Sequence, residues 1–170
     1  MLFNLPLEVL VLLIPVLIFS LCIHEFSHGY VAYLLGDNTA ANAGRLTLNP
    51  LNHLDFMGSM MILFVGFGWA KPVPINPLNF KNKDKDIMKV AFAGPASNLI
   101  LAFIGGMLIR YLRVSSFSLN ENFSIAVELF LYINVALAVF NMIPIAPLDG
   151  SQIFGTILSK YNPNFAWKLQ

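Results

Sequence analysis

The chain has 170 residues, 57% of them hydrophobic and 11% charged, with a formal net charge of +1 and a mean hydropathy of +0.70. A soluble domain carries about 25% charged residues, so this composition excludes a water-soluble globule and assigns the chain to the lipid bilayer, while the length suits one domain over residues 1–170. The near-neutral charge gives no reason to expect a nucleic-acid partner, and the single cysteine, Cys22, excludes an internal disulfide.

A first helix is predicted from about Leu5 to Leu35, with Gly36-Asp37-Asn38 as its stop signal. At about 1.5 Å per residue it is long enough to span a bilayer. Pro6 suits a first turn, and Pro15 is expected to kink the helix. No basic leader or cleavage signature marks this segment as a signal peptide.

The second half of that helix carries His24-Glu25-Phe26-Ser27-His28. The HExxH spacing puts two imidazoles one turn apart on one face, with a carboxylate beside them. That arc suits a zinc ion and a general base. Ionisable groups in an apolar segment are expensive and usually mark a working site. Cys22 points to nearly the opposite face and reads as a small core residue.

Residues Thr39 to Asp55 are polar and turn-rich, with Arg45-Leu46-Thr47-Leu48 as a candidate short strand. His53 and Asp55 read as loop-structural, with support of a metal ligand as the alternative. Phe56 to Gly68 is apolar but too short to span. It is expected to be a tilted or re-entrant helix packed within protein. The prolines from Trp69 to Phe80 exclude a helix there and suggest an extended strand. Pro72 and Pro74 would spoil one edge, while Val73 and Ile75 would leave the other open to an incoming extended chain.

Lys81 to Asp86 reads as a solvated charged loop, and Ile87 to Arg113 as a long apolar helix. Gly94, Ala102, Gly105 and Gly106 would let another helix approach closely. Asn98 could orient a ligand or bind a neighbouring helix. Val114 to Asn122 is a polar link, and Ser124 to Phe140 another apolar helix. That helix breaks at Asn141-Met142-Ile143-Pro144-Ile145-Ala146-Pro147, after which Leu148-Asp149-Gly150 opens a short helix to Lys160. The predicted fold class is an all-α multi-pass membrane protein, a helical bundle with a small membrane-associated β element.

A catalytic zinc site commonly has three protein ligands and keeps a fourth position for water. Asp149 is a better third ligand than His53, being a carboxylate after a proline-broken apolar stretch and at a helix start. His24, His28 and Asp149 would then hold Zn2+, which lowers the pKa of water towards about 7. Glu25 would take the proton, and Asn141 would stabilise a developing oxyanion or merely cap its helix. Two other functions suit the same residues. A metal transporter would use the ligands as a transit site without needing a base. A catalytically silent protein would only bind membrane helices.

HEFSH in an apolar helix, followed far downstream by Asn141-Met142-Ile143-Pro144-Ile145-Ala146-Pro147-Leu148-Asp149-Gly150, resembles the site-2 proteases, intramembrane zinc metalloproteases of the peptidase M50 family. The similarity extends to the stretch from Gly44 to Asp55, to Gly68-Trp69-Ala70-Lys71-Pro72-Val73-Pro74, and to Ala93-Gly94-Pro95-Ala96-Ser97-Asn98. It is nearest to the short bacterial branch lacking a PDZ domain. The resemblance implies His24, His28 and Asp149 as zinc ligands, Glu25 as base and Asn141 as an aid to substrate or oxyanion. It also implies a transmembrane protein substrate, the bacterial cytoplasmic membrane as the location, and a Gly68–Pro77 stretch that receives unwound substrate. Phe56 and Ala146 stand where relatives often carry proline. Relatives also usually continue with a further apolar helix beyond the equivalent of Gln170, which implies C-terminal truncation here.

Overall fold

The computed structural model describes residues 6–65, 68–115, 120–162 and 166. Six α-helices follow in order: α1 (Leu7–Leu34), α2 (Thr39–Asn42), α3 (Phe56–Val65), α4 (Lys83–Val114), α5 (Glu121–Asn141) and α6 (Asp149–Leu158). Three of them, α1, α4 and α5, are long and apolar enough to cross a membrane, with 28, 32 and 21 residues. At 1.5 Å per residue even α5 covers roughly the 30 Å of a hydrocarbon core. Helix α3, with 10 residues, does not.

Local signals explain the helix ends. Pro6 precedes α1 and gives up no bond, since the first turn needs no donor there. Gly36, at φ +103°, terminates α1 in a conformation that costs other residues dearly. Helix α4 starts at Lys83, so the stretch expected to be a charged loop is mostly its first turn. Asn82 accepts from Lys85 N–H at 3.3 Å, and Asp86 accepts from Asn82 N–H at 3.0 Å. Together these bonds form a reciprocal cap. Asn120 caps α5, accepting from Asn122 N–H at 3.0 Å. The expected polar link of residues 114–122 lies partly outside the described residues.

The three long helices pack side by side in alternating direction. Ser20, Asn98 and Asn134 meet at one level of the bundle, and Gly105 admits the ring of Phe130 close to α4. Helix α6 returns along the first half of α4. Outward residues of α4 such as Leu99, Ile100, Phe103 and Met107 are exposed, as a lipid-facing surface requires.

The expected β element is absent among the described residues. Arg45–Leu48 and Trp69–Phe80 form no strand, and an isolated antiparallel bridge between Leu54 and Ala70 stands in their place. A strand needs a partner to take its backbone groups along its length, and here one loop carbonyl and several side chains take them instead. Lys71 N–H donates to His53 O at 2.8 Å, and Arg45 Nη2 donates to Lys71 O at 2.7 Å. Asn76 N–H and Asn79 Nδ2 donate to the two Asp37 carboxylate oxygens, each at 2.7 Å. The extended segment Lys71–Asn76 is thus strapped across α1, where Gly29 lies under Val73.

Asp37 is fully buried at the strap's far end. Burial acts against its carboxylate. Hydrogen bonds from the Thr39 hydroxyl, Asn76 N–H, the Asn79 amide and Thr39 N–H outweigh burial and hold its pKa below the ordinary 3.8. A folded pKa below the unfolded one stabilises the fold at higher pH, and the effect is lost as pH falls through the folded value. Asp37→Asn is expected to destabilise the protein by about 1–3 kcal/mol at neutral pH. Melting curves should show that gap constant down to about pH 5 and shrinking in more acidic buffer. A gap that widened with acid would contradict the assignment.

Candidate metal centre

The HExxH helix and the late aspartate meet. Nε2 of His24 and Nε2 of His28 lie 3.0 Å apart. Asp149 Oδ2 lies 3.2 Å from the first and 3.4 Å from the second. The two imidazoles are buried and Asp149 nearly so. Residues 24 and 149 are far apart in sequence, and two glycines make their meeting possible. A Cβ on Gly150 would run into the carbonyls of Met142 and Ile143, so only glycine lets α6 start against the break after α5. A Cβ on Gly94 would lie 2.6 Å from His24 Nε2 and closer still to His28 Nε2. Gly94 therefore admits the histidine rings of the neighbouring helix α1, as its sequence context suggested. Gly105 does the same for α5.

The hydrogen bonds fix the chemistry of the three atoms. His28 Nδ1 donates to the Val90 carbonyl at 2.7 Å, and His24 Nδ1 donates to Asn98 Oδ1 at 2.6 Å. Both acceptors can only accept, so each neutral ring carries its proton on Nδ1 and presents a bare Nε2. Two lone pairs and a carboxylate oxygen then converge with no hydrogen between them. Asp149 Oδ2 is buried and has no hydrogen-bond partner, a costly arrangement in the absence of a cation. A tetrahedral zinc ion with bonds of about 2.0–2.1 Å holds its ligand atoms roughly 3.3 Å apart. The observed separations match that figure, and the N, N, O donor set suits zinc.

Glu25 is half-buried and its Oε2 accepts from Val73 N–H at 3.1 Å. This corrects the expectation of an open strand edge, because the Val73 donor is already spent on the HExxH glutamate. Asn141 ends α5 and its Nδ2 donates to Leu137 O at 2.9 Å. The cap residue of α5 is Met142, so Asn141 is held inside the last turn and is not the helix cap foreseen as its alternative role. Cys22 is buried and its thiol donates to Leu48 O at 3.3 Å, in keeping with a core position. His53 is buried among the loop, with Nε2 donating to Thr47 O at 2.7 Å, and takes no part in the cluster.

Two polar residues at this level escaped sequence reading. Asn134 and Ser20 are both fully buried and join Asn98 behind His24. A signal existed in each case, a lone amide or hydroxyl within an apolar span, but nothing in the sequence says that the two meet.

The profile of the family described as peptidase family M50 matches residues 114–166. The "putative zinc metalloprotease YwhC" of Bacillus subtilis (strain 168) is 44% identical over 152 residues, covering 87% of this chain and 69% of the relative. The "putative zinc metalloprotease Rip2" of Mycolicibacterium smegmatis (strain ATCC 700084 / mc(2)155) is 32% identical over 161 residues, 91% of this chain and 59% of the relative. Rip2 of Mycobacterium tuberculosis (strain ATCC 25618 / H37Rv) is 29% identical over 148 residues, 84% and 55%. The chain thus spans about two thirds of the first and somewhat over half of the others. No solved structure matches it.

Proposed function

This chain belongs to peptidase family M50, and from that premise we propose that it hydrolyses peptide bonds within membrane-spanning segments of other proteins. It is a membrane protein and a zinc metalloprotease of the site-2 type. The observation that carries the site assignment is the convergence of His24 Nε2, His28 Nε2 and Asp149 Oδ2, three acceptors with no hydrogen among them.

In this reading His24, His28 and Asp149 hold the zinc ion, which when bound acidifies water and polarises a peptide carbonyl. Glu25 is the general base. Its Oε2 is anchored by Val73 N–H, which leaves Oε1 to receive a proton and pass it to the leaving amine. Asn141 lies at the break that leads to Asp149. Its amide would serve an oxyanion only after turning from Leu137. A substrate helix must unwind before attack, because helical carbonyls are engaged. Substrates with helix-weakening residues should be cut faster.

Charge supports an orientation. Seven described lysines and arginines, Arg45, the five from Lys71 to Lys89, and Lys160, lie towards the end where α1 finishes and α4 begins. Arg110 and Arg113 lie towards the other end. By the positive-inside rule the first end faces the cytoplasm of a bacterial cell, which puts the metal centre nearer that side.

The test is cleavage by the purified full chain of a panel of single-span segments in lipid. Cleavage should be lost on chelation and restored by Zn2+. Cleavage that survives complete zinc removal would overturn the proposal.

A further inference from the structure

The buried amides behind His24 form a directional relay. Asn134 Nδ2 donates to Phe130 O at 2.8 Å and to Ser20 Oγ at 2.9 Å, while Ser20 Oγ donates to Val16 O at 2.8 Å. The Phe130 carbonyl can only accept, so it fixes which way the Asn134 amide is turned. Asn134 must then present Oδ1 to Asn98, and Asn98 Nδ2 donates to it at 2.8 Å. Asn98 in turn must present Oδ1 to His24, whose Nδ1 donates at 2.6 Å. Every hydrogen in the series points away from His24 Nε2.

We propose that Asn134 and Ser20 are positioning residues that act through Asn98 to hold His24 in the tautomer whose Nε2 is free to bind metal. The inference rests on the reading of His24 as a zinc ligand. Simple adhesion between helices does not require this pattern. A pair of asparagines used only to join α4 and α5 could sit in either flip, because each amide is both donor and acceptor. Here the Phe130 carbonyl dictates the Asn134 flip, Asn134 Oδ1 and the Ser20 carbonyl at 3.4 Å together dictate that of Asn98, and the dictated result ends on the imidazole. Groups that orient a metal-bound histidine typically change metal affinity 10–100-fold when removed. Bonds in series also polarise one another. Asn134 and Ser20 come from helices α5 and α1, so the relay ties all three long helices at the level of the site.

The experiment measures zinc affinity by chelator competition, and the visible spectrum of the cobalt-substituted protein, on the full chain in lipid. Asn134→Ala is expected to weaken zinc binding by about tenfold and to shift the cobalt bands. Asn98→Ala should lose at least as much, and the double variant no more than Asn98→Ala alone, since the outer residue acts through the inner one. Val127→Ala, a buried α5 position outside the cluster, should leave zinc affinity unchanged and reports mere loss of packing. Wild-type zinc affinity in Asn134→Ala, or losses that multiply in the double variant, would overturn the relay. If Asn134→Ala does not fold, Ser20→Ala decides: a few-fold loss of affinity supports the relay, and behaviour like Val127→Ala overturns it. A wild-type chain whose histidines take up no zinc overturns the site assignment and the relay with it.

Discussion

Glu25→Gln is expected to lower the rate of peptide cleavage by about 10³-fold while zinc content stays at the wild-type level. Proton transfer by a positioned side chain contributes on the order of 10²–10⁴, and among the described residues no acid besides Asp149 joins the histidines. Asp149, the other acid in the cluster, faces both histidines. Glutamine is the informative replacement because its amide oxygen can still accept from Val73 N–H, the contact that Glu25 Oε2 makes at 3.1 Å. The strap therefore stays in place, and the loss reports on the proton alone. Metal analysis together with initial rates on one cleavable segment decides the matter. Retained cleavage would remove Glu25 from the reaction. Zinc lost along with activity would make it a ligand instead of a base.

Gly94→Ala is expected to cost at least 100-fold in zinc affinity, and with it nearly all activity. The added methyl would lie 2.6 Å from both Cε1 and Nε2 of His24 and nearer still to Nε2 of His28. Those nitrogens are the proposed metal-binding atoms. Relief requires either that α4 retreat from α1 or that the rings turn. Turning the rings breaks the bonds to Asn98 and Val90 that fix their tautomers, and such bonds alone are worth about 10–100-fold in metal affinity. Gly106→Ala is the matched control on the same helix. Its Cβ would meet nothing nearer than a Leu131 methyl at 4.0 Å, so alanine there should raise stability by about 0.5–1 kcal/mol through helix propensity. Chelator competition and thermal melting of the two variants should give opposite signs. Equal zinc affinity in both would refute the account of Gly94.

The candidate metal ligands were legible because of where they stand. His24, His28 and Asp149 are polar groups in or beside apolar stretches, and such groups need a reason. The three long helices were legible from apolar length alone, with ends displaced by a few residues. Lys83–Asp86 was misread as loop because charges usually mean solvent. The first turn of a helix welcomes acidic residues and an asparagine cap, which Asp84, Asp86 and Asn82 supply. Arg45–Leu48 has strand-like residues, but a strand is decided by a partner, and none forms. Arg45 N–H instead donates to Ala40 O at 2.9 Å. Asn134 was hidden for the opposite reason. It is one amide in a plausible membrane helix, and its partners lie 36 and 114 residues away. No local pattern records such a meeting.

The strap over α1 has an implication for the order of events at the base. Val73 N–H is the donor that Glu25 Oε2 accepts from, and the same residue packs over Gly29 one turn further along. Lifting this stretch to let a polypeptide reach His24 and His28 would strip the carboxylate of its partner in the same motion. Leaving it in place keeps Glu25 tethered and aimed. If Glu25 is the proton acceptor and a guest enters by lifting this stretch, admission of the guest and release of the acceptor are a single mechanical act.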